Sequence, residues 1–349
     1  MARVSEPVRP PDRITIADVA REVGVSMMTV SRVINGRDDV SVVTRQRVLE
    51  AVERLGYRPS SIARGLATRH TGTLGLVVPD IANPFFAEVA RGVEEVAYAQ
   101  GYNVFLCNTD EDPARELDVL GSLEEKRVDG VVLCSSRLSD EDLQMAVDAY
   151  PAVVLVNRRA GQHVSTVVVD DVLGGRLATG HLIARGHRAI GFLSGPQGSR
   201  SGQGRLEGYA IEMSSARLRR ENEWIEPCGP TAEQGRLAAL RLLRGSGGLT
   251  ALICYNDLVA VGALHACREL GRNVPGSVAI VGFDDIPVAA LVTPALTTCR
   301  VSRHELGARA VGLLLERVRG VGYAAGEGER ASTAVVALEP ELVVRASAP

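Results

Sequence analysis

Near the start of the chain a short run of side chains suits the reading of a duplex. Met27, Met28, Thr29, Ser31 and Arg32 fall outside the apolar stripe made by Val30 and Val33. At helical spacing they share the outer face of one short helix. An arginine fork there can pair bidentately with a guanine edge, and methionines offer apolar contact to thymine methyls. Ser26, Thr29, Ser31, Asn35, Ser41 and Thr44 are small polar groups suited to phosphate contacts, which position a protein rather than specify a sequence. Catalytic chemistry has no comparable set. His181, His187, His265 and His304 lack motif partners, and no nucleophile–base pair or dinucleotide fingerprint stands out. Cys107, Cys134, Cys228, Cys254, Cys267 and Cys299 show no CxxC or Cys/His ligand spacing, so they read as free thiols. The glycine-rich run from Gly198 to Gly204 is only superficially a phosphate loop. It does not directly follow a strand and open a helix with the required spacing. No metal or cofactor is expected.

The elements that must position the outer face follow from local signals. Thr15 is a good cap for a first helix with Ile16, Val19, Ala20 and Val23 as its apolar stripe. Gly24 stops it, because a tight turn needs the positive φ that glycine adopts cheaply. Val25 plugs the turn, Ser26 caps the second helix from Met27 to about Ile34, and Asn35-Gly36 ends it. A helix, a glycine turn and a second helix offer that second helix to the major groove. A third helix is expected from Thr44 to Leu55, with Val48, Leu49, Val52 and Leu55 inward. Gly56-Tyr57-Arg58-Pro59 breaks the pattern, and the helical stretch from Ser60 to Ala67 is too short to be stable alone.

The chain has 349 residues with 46% hydrophobic and only 4% aromatic content, enough for an aliphatic core and two or three domains. Net charge is −3, unevenly placed. Residues 1–70 carry 12 Arg against 8 acidic residues, while the remainder is acidic. A small basic head on an acidic body fits a DNA-binding module attached to a soluble sensor. No secretory signal or run of about twenty apolar residues appears, and the expected location is the cytoplasm. After Thr71-Gly72 the pattern changes. Short apolar runs, among them TLGLVVP, GVVLC, AVVLVN, AIGFLS, ALICY and VAIVGF, alternate with amphipathic helical segments. That alternation predicts parallel sheets with crossover helices. Two groups of strands suggest two lobes, with a cleft at the strand carboxyl ends. Asn83-Pro84-Phe85-Phe86 follows the first body strand. An aromatic pair there can sandwich a sugar ring while Asn83 and Asp80 bond hydroxyls.

Several blocks together resemble the lactose/galactose repressor family of transcription regulators: TIADVAREVGVSMMTVSRVIN, GYRPSSIARGLA, GLVVPDIANPFFAEVARGVEEVA, YNDLVAVGAL, VAIVGFDDIP and PALTT. The resemblance covers roughly residues 14–345. It implies an α/β protein with an N-terminal helix-turn-helix head and a periplasmic-binding-protein-like body of two doubly wound parallel-sheet lobes. The expected organisation is a tail over 1–13, a head over 14–58, a linker over 59–70 and a body over 71–349. The first lobe is expected at about 71–166 and 296–328, the second at 167–295 and 329–349. In the resembled family the linker folds on DNA into a hinge helix, where Leu66 would wedge into a base step, with Ser60 and Ala63 on the same face. Tyr57 joins the expected DNA-contacting set. The resemblance also adds Asn157, Arg158, Arg205, Asn256 and Asp284 to the cleft, a set suited to a sugar, polyol or nucleoside. Two departures, Asn157 where an aspartate is common and Val301 where a glutamine is common, weaken the pentose or hexose assignment. The implied molecule is a homodimeric repressor on a near-palindromic operator. A solute-binding protein and an enzyme on the same fold are the competing readings.

Overall fold

A computed structural model describes residues 14–34, 36–37, 39–57, 70–161, 163–245, 248–323 and 333–349. It divides into two compact units, 1–71 and 72–349.

In the head, α1 (Ile16–Val23), α2 (Met27–Ile34) and α3 (Val42–Leu55) enclose a small core of Val19, Ala20, Val23, Val30, Val33, Val48 and Ala51. The Asp18 carboxylate accepts from the Thr15 N–H at 2.9 Å and from its hydroxyl at 2.7 Å, tying down the helix start. Gly24 sits at φ 73°, as the turn requires. The third helix starts at Val42 rather than Thr44, because Ser41 is its cap: Ser41 Oγ accepts the Thr44 N–H at 3.3 Å. Its inward face also differs. Ala51 is buried, whereas Leu49, expected inside, is 46% exposed. A three-helix head needs only a narrow stripe from α3, and Val48, Ala51, Val52 and Leu55 supply it. The expected hinge residues Ser60, Ala63 and Leu66 lie outside the described residues, as does Asn35.

The body holds two six-stranded sheets. The first comprises β1 (Thr73–Val78), β2 (Asn103–Asn108), β3 (Gly130–Cys134), β4 (Val153–Val156), β5 (Ser165–Val169) and β11 (Val335–Leu338), in the order β11-β5-β4-β3-β1-β2, all parallel. The second comprises β6 (Ile190–Leu193), β7 (Ile225–Glu226), β8 (Ala251–Cys254), β9 (Ala279–Asp284), β10 (Thr297–Arg300) and β12 (Glu341–Val343), in the order β12-β10-β9-β8-β6-β7. Only β12 runs antiparallel there, against β10. Central strands such as β3, β4 and β9 are buried along their whole length, which explains continuous apolar runs in place of alternation.

Strand pairing moves the expected lobe boundaries. β5 belongs entirely to the first sheet, so the chain crosses near Asp170 rather than at 166–167. β10 pairs with β9, which puts the return at 301–302 rather than 296. β11 pairs with β5, so the last crossing falls at 339–340 and not near 329. The C-terminal end of the body is docked against the second sheet. Ser347 is fully buried, donating to the Ile280 carbonyl at 2.6 Å and accepting from the Thr297 N–H at 2.8 Å.

Paired glycines let the covering helices approach closely. α4 (Pro84–Ala99) meets α12 (Arg303–Tyr323) at Gly92 and Gly307. A Cβ on Gly92 would lie 2.1 Å from the His304 carbonyl oxygen. α7 (Asp171–Ala184) and α8 (Arg200–Ser215) meet in the same way at Gly175 and Gly208. α9 (Ala232–Gly245) and α10 (Asp257–Glu269) do so at Gly235 and Gly262. The remaining helices are α5 (Pro113–Glu125), α6 (Asp140–Ala149) and the short α11 (Pro287–Leu291). No described helix is long and apolar enough to cross a membrane.

Candidate functional site

The head exposes the face read from the sequence. Met27 is 56% and Met28 66% exposed. The hydroxyls have local duties beside the expected one, and for Ser26 that duty is the helix cap read from the sequence. Ser26 Oγ accepts the Thr29 N–H at 3.1 Å and pairs with Thr29 Oγ1 at 2.9 Å, so it caps α2. Ser41 does the same for α3 with Thr44. Arg32 Nη1 stands 2.9 Å from Asp39 Oδ2, both half-exposed, so the best candidate base reader already holds an intramolecular counter-ion. Ser31 is half-buried. Tyr57 is half-buried and packs against the head core. Arg47 donates to the Val23 carbonyl at 2.8 Å and Arg54 pairs with Glu22 at 2.6 Å, fixing α3 to α1.

In the body both sheets reverse strand order beside their first strands, between β1 and β3 and between β6 and β8. Loops leaving these carboxyl ends diverge, and ligands of open α/β sheets bind in such crevices. The structure gathers Asn83, Phe85, Phe86, Asn157, Arg205, Asn256 and Asp284 around one such crevice. Sequence reasoning missed Glu111, Ser135, Arg137, Ser201, Pro230 and Tyr255. A signal existed for some of them: Ser135 and Arg137 follow β3 as Asn83 follows β1, and Tyr255 directly precedes Asn256. Backbone geometry marks the same place. Glu111, Ser135, Asn157 and Asp284 all have positive φ, at 59°, 48°, 54° and 104°, a conformation that costs free energy for non-glycine residues and clusters at functional sites.

Arg205 is the centre of the site. It is 5% exposed, donates to Asp171 Oδ1 at 2.8 Å and lies 3.8 Å from Asp284 Oδ1. Its guanidinium carbon sits 3.5 Å from the Phe283 ring centroid, and it also donates to the Tyr255 carbonyl. Burial weakens a guanidinium's hold on its charge, but Asp171 and Asp284 overcome this and raise its pKa above the ordinary value. Burial pushes Asp284 up to about 7, against the pull of Arg205 and Arg303. Asp171 is likewise raised by burial. Arg137 donates to both oxygens of Glu111, at 2.5 and 3.2 Å, and to the Ser135 carbonyl at 2.8 Å.

Other expected contacts have structural duties. Asn256 caps α10, accepting the Val259 N–H at 2.8 Å and donating to the Pro230 carbonyl at 3.1 Å. Asn83 caps α4 through the Phe85 N–H at 3.0 Å. Asp80 does not line the crevice; its carboxylate accepts the Ala82 N–H at 2.8 Å in a local turn. Phe85 and Phe86 cannot sandwich a ring between them. They meet edge to face, 5.1 Å apart at 83°, with both rings buried in the core. Adjacent helical residues point about 100° apart, and packing into the core fixes the rest. Val301 is also a core residue. Arg137, Arg205 and Tyr255 fill the crevice so fully that about 30 Å³ remains, near the room for one water. The larger space lies on the other side of Asn157 and Ser201, a cavity of about 880 Å³ that Arg158 also lines. A cavity of that size is in the range that takes a small-molecule ligand.

A helix-turn-helix head with a solvent-facing second helix, joined in one chain to a bilobed body with a polar inter-lobe crevice, defines a DNA-binding regulator with a ligand-sensing domain. The chain belongs to the LacI family of bacterial transcription regulators. Residues 15–60 match the bacterial regulatory proteins of the lacI family, and residues 71–342 match the periplasmic binding proteins and sugar binding domain of the LacI family. It is 37% identical over 335 residues to the HTH-type transcriptional repressor PurR of Haemophilus influenzae (strain PittEE), covering 95% of this chain and 98% of that protein. Its fold matches the structure of a transcriptional regulator CelR–cellobiose complex at a TM-score of 0.72 and 33% identity, covering 96% of this chain and all of that one. It matches the lac repressor dimer bound to operator and the anti-inducer ONPF at 0.83 and 26%, covering 97% and 99% of the two chains. PurR and the lac repressor are repressors and CelR is a transcriptional regulator; this chain is a transcription regulator rather than an enzyme or a transport receptor.

Proposed function

We propose that this regulator binds a near-palindromic operator as a homodimer in the cytoplasm and releases or grips it in response to a small polar effector held between the lobes. The convergence of both sheets' switch points on one buried polar set carries the reading. Asn157, Arg205 and Asp284 come from separate segments and are each less than a tenth exposed. Polyhydroxylated ligands, whose hydroxyls donate and accept, suit a mixture of amide, guanidinium and carboxylate. The sugar named with the CelR structure is consistent with that chemistry. Arg200 Nη2 in α8 donates to both carboxylate oxygens of Asp140 in α6, at 2.7 and 2.8 Å, across the lobes. Effector binding would bias the angle between lobes, acting only through its different affinity for the two arrangements.

Self-association is supported by the edge strand β2 and its neighbours. Phe105 is 44%, Leu106 51%, Leu117 43% and Tyr98 75% exposed, large apolar side chains that a second copy would cover. In the head, Met27, Met28 and Arg32 are the proposed base readers.

The test is a thermal-shift panel of sugars, polyols and nucleosides, followed by operator binding with each hit. A true effector raises the melting temperature by linkage and changes operator affinity. Asp284→Asn should lose the shift while keeping the fold. A hit that leaves operator affinity untouched, or one unaffected by that substitution, refutes the proposal.

A further inference from the structure

The 880 Å³ cavity carries a charge pattern that a neutral ligand does not explain. Arg158, Arg159 and Arg200 line it together with Asp140, Asp170 and Asp171. The carboxylates are unequally available. Asp171 is committed to Arg205 at 2.8 Å, and Asp170 spends one oxygen capping α7 through the Leu173 N–H at 2.8 Å. Asp140 alone pairs with the cavity's arginines. It meets Arg158 at 2.9 Å and Arg200 at 2.7 Å, while its own side chain is 72% exposed. Arg159 is exposed and has no ion pair among the described residues. Two of the three guanidinium groups therefore share one surface carboxylate, and the third has none among the described residues.

Two further observations point the same way. Arg158 is 4% exposed, and its buried Nε has no hydrogen-bond partner. Burial lowers its pKa, Arg200 adds to the effect, and Asp140 and Glu116 only partly oppose it. The helices α6, α7 and α8 also begin at this cavity, with Asp140, Asp171 and Arg200 as their first residues. Their positive ends add to the field.

We propose that Arg158, Arg159 and Arg200 form a subsite for the anionic group, phosphate or carboxylate, of the effector. The group's polar body would lie against Asn157 and Ser201, which line both the cavity and the crevice. Guanidinium forks take such oxyanions bidentately. Asp140 holds Arg158 and Arg200 in place, and the incoming anion competes with it. Because Asp140 and Arg200 lie on opposite lobes, that exchange replaces a direct inter-lobe contact with one made through the ligand. The inference rests on the inter-lobe effector reading and narrows its chemistry.

The full-length protein is titrated with inorganic phosphate and, separately, with acetate, replacing chloride at constant ionic strength, with melting temperature as readout. Saturable stabilisation by phosphate assigns a phosphorylated effector, and by acetate alone a carboxylate. Arg159→Gln and Arg200→Gln should each weaken the anion roughly tenfold, the loss of about one charge-assisted hydrogen bond. Asp140→Asn should tighten it severalfold by removing the competitor. The opposite signs separate a subsite from general charge effects. If neither anion outperforms chloride, or the three substitutions leave the titration unchanged, the subsite is overturned. A neutral sugar that still shifts the protein, and loses the shift in Asp284→Asn, then leaves the crevice reading standing without it.

Discussion

Replacing Arg205 with alanine should destabilise the body severely, and more so at high pH. The side chain is 5% exposed and answers two carboxylates, Asp171 and Asp284, that are themselves less than a tenth exposed. Removing one partner of such a buried pair leaves uncompensated charge and costs about 3–5 kcal/mol. The lost guanidinium face on Phe283 adds about 2 kcal/mol at most when fully desolvated. The pH dependence has a definite sign. Asp284 has a folded-state pKa near 7 against an ordinary 3.8, so the native protein binds its proton more readily than the unfolded chain. Stability from this group is therefore greatest below about pH 3.8 and falls away as pH climbs to about 7. Without Arg205 the carboxylate rises further, so the decline extends above 7. At pH 5.5 a proton can take the arginine's place; at pH 8 it cannot. Trp224 is the sole tryptophan and packs against the core that holds the second sheet, so its fluorescence during urea unfolding reports the right lobe. The expected result is a loss of about 3–5 kcal/mol at pH 8 and a clearly smaller one at pH 5.5. A loss under about 1 kcal/mol, or one equal at both pH values, would refute the view of Arg205 as a buried charge hub. The same argument makes Arg205→Ala a poor probe of effector binding, since fold and ligand would fail together.

Gly92→Ala should cost about 3 kcal/mol in urea unfolding, because the new methyl meets the His304 carbonyl oxygen at 2.1 Å. Gly121→Ala, where nothing lies within 4 Å of the new atom, should instead gain about 0.5–1 kcal/mol; equal effects at the two sites would undo the close-approach argument. Asp39→Asn should free Arg32 from its 2.9 Å partner and tighten binding to duplex several-fold at low salt, measured by fluorescence anisotropy; unchanged affinity would show that the pair does not restrain Arg32. Substituting Met27 and Met28 together should alter half-site preference in a binding selection, and an unaltered preference would remove them from base reading. Phe105→Glu combined with Leu106→Glu should shift sedimentation from dimer to monomer, while a dimer that persists would place self-association elsewhere.

The head was legible because its signals are local. Thr15, Gly24, Ser26 and Gly56 act on backbone groups within a few residues, so capping and turn chemistry can be read along the chain. The exception is instructive. Leu49 fits an apolar stripe by spacing, yet it stands 46% exposed, because which edge of the stripe is covered depends on where α1 and α2 end. The body's fold class was legible too, since strands buried on both faces give unmistakable runs such as GVVLC. The strands β5, β10 and β11 were harder to assign to a lobe, because sheet membership depends on which partner offers its edge.

Sequence alone determined the order of elements, the helix-turn-helix geometry, the bilobed body and the polar residue types near the carboxyl ends of its strands. Each of these follows from periodicity or backbone preference over a short span. Tertiary structure decided which of those polar groups are already spent. Asn256 and Asn83 cap helices, Arg205 answers two carboxylates, and Asp140 bridges arginines 18 and 60 residues away. A hydrogen bond or ion pair depends on position in space to within fractions of an ångström, and no spacing rule along the chain encodes that.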